Sequence, residues 1–267
     1  MSLGSAIEWT DATWNPTTGC DRVSPGCDHC YALTLAKRLK AMGNPRYQRD
    51  GSQRTSGVGF GLTVHSDKLH EPYSWRKPRR VFVNSMSDLF HASVPTDFIC
   101  SVFDVMADLP QHHFQVLTKR PRRMLTIVSA WYELNGRDVV PNIWLGTSVE
   151  DQKWADKRIP LLADVPAAIR FLSCEPLLGP IRLGDLTSVH WVIVGGESGW
   201  QARPIELAWV RSLRDECNAA SVAFFFKQWG GKTPKAGGRL LDGRTWDEMP
   251  MDLSLKGGAP PRRASSP

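Results

Sequence analysis

Three of the six cysteines of this chain fall within a single stretch, Asn15-Pro16-Thr17-Thr18-Gly19-Cys20-Asp21-Arg22-Val23-Ser24-Pro25-Gly26-Cys27-Asp28-His29-Cys30-Tyr31-Ala32, with the spacing C-x6-C-x2-C. Thiolate sulfur is a soft ligand, suited to zinc and to iron–sulfur clusters. A closed structural zinc site takes four protein ligands. Three thiolates on a [4Fe–4S] cluster instead leave one iron with a vacant position. The cysteines therefore admit two metal chemistries: a cube with an open corner, or a zinc site that His29 would complete. Pro16, Gly19, Pro25 and Gly26 break any helix or central strand here, so the stretch reads as a loop. Cys100, Cys174 and Cys217 are scattered and read as small hydrophobes.

Further reactive side chains recur at the ends of short apolar runs. The runs are Leu62–His65, Val81–Asn84, Phe114–Thr118, Ile143–Thr147, Ile169–Ser173, Trp191–Gly195 and Val222–Phe226, each of strand length. They finish in His65-Ser66-Asp67, Asn84-Ser85 with Ser87-Asp88, Thr118-Lys119, Thr147-Ser148 with Glu150-Asp151, Ser173 with Glu175, Glu197-Ser198, and Lys227-Gln228. Some of these polar residues would cap the helices that follow. Helical segments lie between most runs. Tyr31–Met42 is ended by Gly43-Asn44-Pro45, Thr96 caps a segment carrying Ile99, Val102, Phe103 and Met106, Pro121 opens another, and Ile205–Ala219 is the last.

Strand and helix in alternation imply a parallel sheet. With one more strand near Ile7–Trp14, the expected fold is α/β: a complete or partial (β/α) TIM-like barrel of six to eight mostly parallel strands. A doubly wound sheet is the alternative. In a barrel the C-terminal strand ends share one face, where active sites sit. The cysteine loop follows the first strand and so belongs at that face.

Asn15-Pro16-x-x-Gly19-Cys20, followed by Cys27-x-x-Cys30-Tyr31-Ala32, resembles the cluster loop of radical S-adenosylmethionine (SAM) enzymes, above all the spore photoproduct lyase branch. From about Trp9 to Gly231 the chain also resembles an uncharacterised three-cysteine-motif family of phage and bacterial proteins. Its C-x6-C-x2-C has three more residues between the first two cysteines than the commonest radical SAM pattern, C-x3-C-x2-C. The resemblance implies a [4Fe–4S] cluster on Cys20, Cys27 and Cys30, SAM bound at the open iron, and an external electron donor. It implies an enzyme that cleaves SAM to a 5′-deoxyadenosyl radical and acts on a nucleic acid or nucleotide. It also implies that Lys119 lies near the SAM carboxylate and that Ser148 contacts SAM.

Charge matching adds Ser85, Asp88, Glu175 and Glu197 as contacts for ribose, amine or substrate, and Tyr31, Trp200 and Trp229 as rings on which adenine or a base could stack. Glu175 and Glu197 read equally well as partners of Arg170 or Arg203. Gly195-Gly196-Glu197-Ser198-Gly199 does not match G-x-G-x-x-G, so no nucleotide site follows from it. The alternative function is a non-enzymatic zinc or Fe–S protein that binds nucleic acid.

The 267 residues carry a formal charge of +6, with 42% hydrophobic and 22% charged residues, which is a globular composition. Two compact basic clusters, Arg76–Arg80 and Lys119–Arg123, suit DNA or RNA phosphates and equally suit solvated turns. No apolar run approaches the ~20 residues of a membrane helix. Met1–Ser5 lacks a basic segment followed by an apolar core, so a cytoplasmic protein with reduced cysteines is expected. A partner protein that delivers the substrate is left open.

The expected organisation is a barrel over residues 1–231, with the cysteine loop at 15–32 and an exposed insertion at 43–60. A small C-terminal extension follows at 232–250, with a hairpin turning on Asp242-Gly243, and then a disordered tail at 251–267.

Overall fold

A computed structural model describes residues 5, 7–233 and 235–250. The 251–267 tail lies outside the described residues. In chain order the elements are β1 (Ala12–Trp14), β2 (Thr17–Thr18), α1 (Tyr31–Ala41), β3 (Thr63–Val64), β4 (Arg80–Val83), α2 (Thr96–Ala107), β5 (His113–Thr118), α3 (Pro121–Asn135), β6 (Ile143–Ser148), α4 (Gln152–Ala163), β7 (Ile169–Cys174), β8 (Trp191–Gly195), α5 (Leu207–Ala219) and β9 (Ala223–Gln228).

Seven strands form one sheet in the order β1-β4-β5-β6-β7-β8-β9, and every neighbouring pair is parallel. The spatial order never reverses. A doubly wound sheet reverses at its switch point, so that alternative is excluded. The sheet is also curled. If it were flat, the four strand spacings from β4 to β8, each about 4.8 Å, would separate Phe82 from Trp191 by about 19 Å. Instead the Trp9 ring touches both, with centroids 4.8 Å from Phe82 and 5.9 Å from Trp191. The fold is thus a partial barrel, and no ladder among the described residues joins β1 to β9.

Period-two alternation divides the strands between two cores. Phe114 and Val116 of β5, Ile143 and Leu145 of β6, and Val192 and Val194 of β8 face the outer layer, packing with Ile99, Val128, Leu162 and Val210 of the four helices α2 to α5. Trp144 of β6, Phe171 of β7, Trp191 and Ile193 of β8 and Phe225 of β9 fill the concave side with Trp9. Gly146 of β6 is required there, because a Cβ would stand 2.6 Å from the Phe171 ring.

Two segments depart from expectation. Leu62–His65 is not a barrel strand. Its core, β3, pairs antiparallel with β2 in a separate two-stranded ribbon beside the cysteine loop. The 43–60 segment, expected to be exposed, sends Tyr47 and Phe60 into a small cluster with Ala36 and Met86. The connection from β7 to β8 carries no helix. The Asp242-Gly243 turn forms as expected, with both φ angles positive, and the chain beyond it lies along β9, where Phe226 N–H donates to the Trp246 carbonyl.

Candidate metal centre at the strand ends

The cysteine loop leaves β1 and crosses the C-terminal ends of the sheet. Its backbone is pinned at the start. Gly19 N–H donates to Met86 O at 3.0 Å, and the Asn15 side-chain oxygen accepts from Met86 N–H and from Ser85 Oγ. Gly19 has φ +86°, and a Cβ there would meet the Gly61 carbonyl oxygen at 2.4 Å, so only glycine fits. Gly26 rests on Glu150, whose Cγ would lie 2.4 Å from a Cβ at that position.

Three charged hubs, each at the end of a different strand, hold the loop. After β4, Asp88 accepts from Thr118 Oγ1 (2.7 Å), Phe90 N–H, Lys119 N–H and Arg120 Nη1 (2.8 Å). The same guanidinium donates to Cys20 Sγ at 3.5 Å and to the Asp21 carbonyl at 3.0 Å. After β6, the fully buried Glu150 accepts from Ser24 Oγ at 2.7 Å, Arg158 Nη1 at 2.9 Å and the Lys119 ammonium at 3.2 Å. After β8, Glu197 accepts from three nitrogens of Arg203, Nη2 at 2.6 Å, the backbone N–H at 2.9 Å and Nε at 3.0 Å, and lies 2.9 Å from His29 Nδ1. Arg203 also donates to the Pro25 carbonyl at 2.9 Å.

These surroundings set the protonation of the rim. Burial pushes the Cys20 thiol up to about 12, Asp88 adds to this, and Arg120 opposes it. Burial also raises Cys30, although Lys119 and the backbone N–H groups of Ala32 and Leu33 act in the other direction. Cys27 interacts electrostatically with both other cysteines. Burial alone would lower the Lys119 ammonium, but Glu150 and Cys27 outweigh it and hold Lys119 above its ordinary value. Burial alone would raise Glu197, but Arg203 and His29 bring it down to about 2.

All the residues expected at the site lie at this end of the sheet. Cys20, Cys27 and Cys30 are partly exposed and none forms a disulfide; Cys30 is the N-cap of α1. Lys119 immediately follows β5. Ser148 ends β6 and is buried, and its carbonyl accepts from Arg158. Tyr31 begins α1, and its hydroxyl donates to the Ser85 carbonyl. Glu175 is ion-paired to Lys227 at 2.5 Å, not to Arg170 or Arg203, whereas Glu197 does pair with Arg203. Trp200 is exposed on the loop after β8, and Trp229 is packed on Phe226. His29, the candidate fourth zinc ligand, is engaged by Glu197. Among the described residues, no group of three or more His, Cys, Asp and Glu lies close enough to hold one metal ion.

Sequence reasoning missed Glu150, Arg120 and Arg158. The only signal of Glu150 and Arg120 was position, as polar residues just beyond a strand end, and Arg158, inside α4, carried none. The two basic clusters lie at opposite ends of the sheet. Arg80 opens β4 at the N-terminal end, where it forks onto Asp11, and Lys119–Arg123 lies at the cysteine end.

The fold and this rim define an α/β half-barrel protein with a three-cysteine loop held over its C-terminal strand ends. A family described as "Protein of unknown function (DUF5131)" matches residues 4–250, and the chain belongs to it. Among curated proteins nothing matches. Two solved structures are similar. A spore photoproduct lyase with a cysteine-to-serine substitution aligns at 11% identity and TM-score 0.47, over 85% of this chain and 58% of that one. A cysteine-to-alanine form of that lyase, holding the dinucleoside spore photoproduct, aligns at 12% identity and TM-score 0.43, over 75% of this chain and 58% of that one. The chain thus spans less than two thirds of either structure. Among the described residues, no helix is long and apolar enough to cross a membrane.

Proposed function

We propose that the protein is a radical SAM-type iron–sulfur enzyme acting on a nucleic acid or nucleotide, with an external electron donor. The observation that carries this reading is the set of three unpaired thiols on one pinned loop at the strand-end rim, with Lys119 and Arg120 beside them. The donor set fits a [4Fe–4S] cluster. Cys20, Cys27 and Cys30 are soft ligands on separate loop positions, cations are at hand to offset thiolate charge, and no fourth thiol is near in sequence. When bound, the cluster supplies an electron to the sulfonium of SAM, whose cleavage gives a 5′-deoxyadenosyl radical that abstracts a hydrogen atom from substrate.

The chain's own residues have five tasks. Arg120, fixed by Asp88, donates to the Cys20 sulfur and balances its charge on ligation, when the thiol must lose its proton. Lys119, held by Glu150, is the candidate partner of the SAM carboxylate, and Ser148 beside it is a candidate SAM contact. Glu175 and Lys227, at the ends of β7 and β9, present one charge of each sign to the amine or ribose groups, with Ser85 as a further candidate contact. Asp88 and Glu197, whose oxygens are already taken, position the loop; Tyr31 offers its exposed ring for stacking.

The test is oxygen-free purification and reconstitution. Iron and sulfide in equal amounts, with release of 5′-deoxyadenosine from SAM under reduction, are expected. Zinc without sulfide, or a loaded protein that binds SAM and never cleaves it, would refute the reading.

A further inference from the structure

On the outer side of the sheet, between the start of α2, α3 and α4, lies an open cleft of about 890 Å³, of whose lining the proposed chemistry uses only Lys119 and Arg120. Its wall carries six cations, Lys119, Arg120, Arg122, Arg123, Lys157 and Arg158, and no carboxylate. We propose that this cleft holds the phosphodiester backbone of a nucleic acid strand that runs past the cysteine loop. The inference deepens the nucleic-acid part of the function proposed above and rests on it for the substrate class alone.

Three observations support it. First, the cations differ in how they are committed. Lys119 and Arg120 are tied to Glu150 and Asp88, and Arg123 donates to the His91 and Val94 carbonyls. Arg122 and Lys157 are exposed and make no ion pair among the described residues, although Lys157 also lies over the Trp154 ring. Second, Arg158 is buried, 2% exposed, and uses only Nη1, on Glu150 and the Ser148 carbonyl; its Nε and Nη2 have no hydrogen-bond partner. Its guanidinium is stacked 4.1 Å over the Trp154 ring, which fixes the orientation of the fork. A buried donor without an acceptor is costly, and a phosphate oxygen supplies the acceptor. Third, the half-buried Trp154 gives the cleft an aromatic surface among its cations, as single-strand grooves do, over a buried apolar floor of Phe90, Pro121 and Ile127. Cations spread over a strand end and two helices match a repeating anion rather than one isolated phosphate. Arg120 lines this cleft and also touches Cys20, so the groove is continuous with the cysteine rim. The other basic cluster offers less, since Asp11 already neutralises Arg80.

The experiment is fluorescence anisotropy of a labelled oligothymidylate with the full-length protein over a range of salt. Binding should weaken linearly on a logarithmic salt scale. The double variant Arg122→Glu/Lys157→Glu should lose most of the affinity, with the slope flattening by about 0.7 per phosphate contact removed. Arg76→Glu/Lys77→Glu, at the opposite end, should bind as the parent does. Absence of oligothymidylate binding would overturn the proposal. So would equal losses in the two double variants, or competition by polyglutamate as effective, charge for charge, as by unlabelled oligothymidylate. Iron and sulfide content, measured on the same preparations, is expected to be unchanged in both variants, so a failure of the cluster reading registers separately from a failure of the cleft.

Discussion

The two ends of the concave surface follow opposite rules, although the same strands build both. At the N-terminal end, Trp9, Phe82, Trp144, Trp191 and Phe225 form an aromatic plug in edge-to-face contacts. One step of the pleat further on, the same face carries Asn84 after Phe82, Lys119 after Leu117, Ser148 after Gly146 and Lys227 after Phe225. The plug is held mainly by packing: Trp191 Nε1 donates to the Glu248 carbonyl, and the buried Trp9 Nε1 has no hydrogen-bond partner. The charged rim needs partners from outside the sheet, and the cysteine loop supplies them. Apolar packing is therefore concentrated at one end of the half-barrel and charge pairing at the other.

The sharpest way to break this comparison is to cut one large group from each end. Cys27→Ala should remove nearly all bound iron after reconstitution, and with it 5′-deoxyadenosine formation, while the melting temperature of the metal-free protein stays the same. Trp191→Ala should do the reverse, costing about 3–5 kcal/mol in urea unfolding while the folded fraction still takes up iron. If both variants lost iron and stability together, the division between the ends would not hold.

Next in size is Glu150→Gln. Removing this carboxylate leaves two largely buried cations, Lys119 and Arg158, short of their counter-charge, and should cost about 3 kcal/mol by chemical denaturation. It should also expose the loop at Arg22 to trypsin before global unfolding.

A smaller effect separates the ends by pH. The Glu197 carboxyl is depressed to about 2 when folded, so its contribution is fully present above the ordinary glutamate range. It is lost as the pH falls from there towards 2. The acid limb of the stability curve should accordingly be shallower in Glu197→Gln than in the parent, whereas the plug, which has no titrating group, contributes equally at every pH. The smallest effect is expected for Tyr31→Phe, which removes the hydrogen bond to the Ser85 carbonyl at a cost of about 1 kcal/mol and should leave iron content untouched.

Much of this was readable from the chain because its cause is local. Short apolar runs, Pro121 opening α3 and Gly43 behind α1 are properties of neighbouring residues, and they gave the alternation of strand and helix and the half-barrel, although α4 was not among the expected helices. The place of the cysteine loop followed from order alone, since it comes after β1. What stayed hidden depends on encounters across the sequence. Glu150 is a hub because residues 24, 119 and 158 converge on it, and nothing around position 150 announces that. Leu62–His65 has the composition of a barrel strand, but its partner is β2, so it was lost to the ribbon. Glu175 could have met several cations, and curvature of the sheet brought it Lys227.

The indole of Trp9 spans the trough between β4 and β8 from a position outside the sheet. It therefore acts as a strut that sets how far apart the two walls stand. Because those walls are continuous strands, any change in the strut's size would be felt at their far tips, where Asn84 and Glu197 begin the loops. A residue at the far end from the cysteine loop would then govern the width of the opening at the rim.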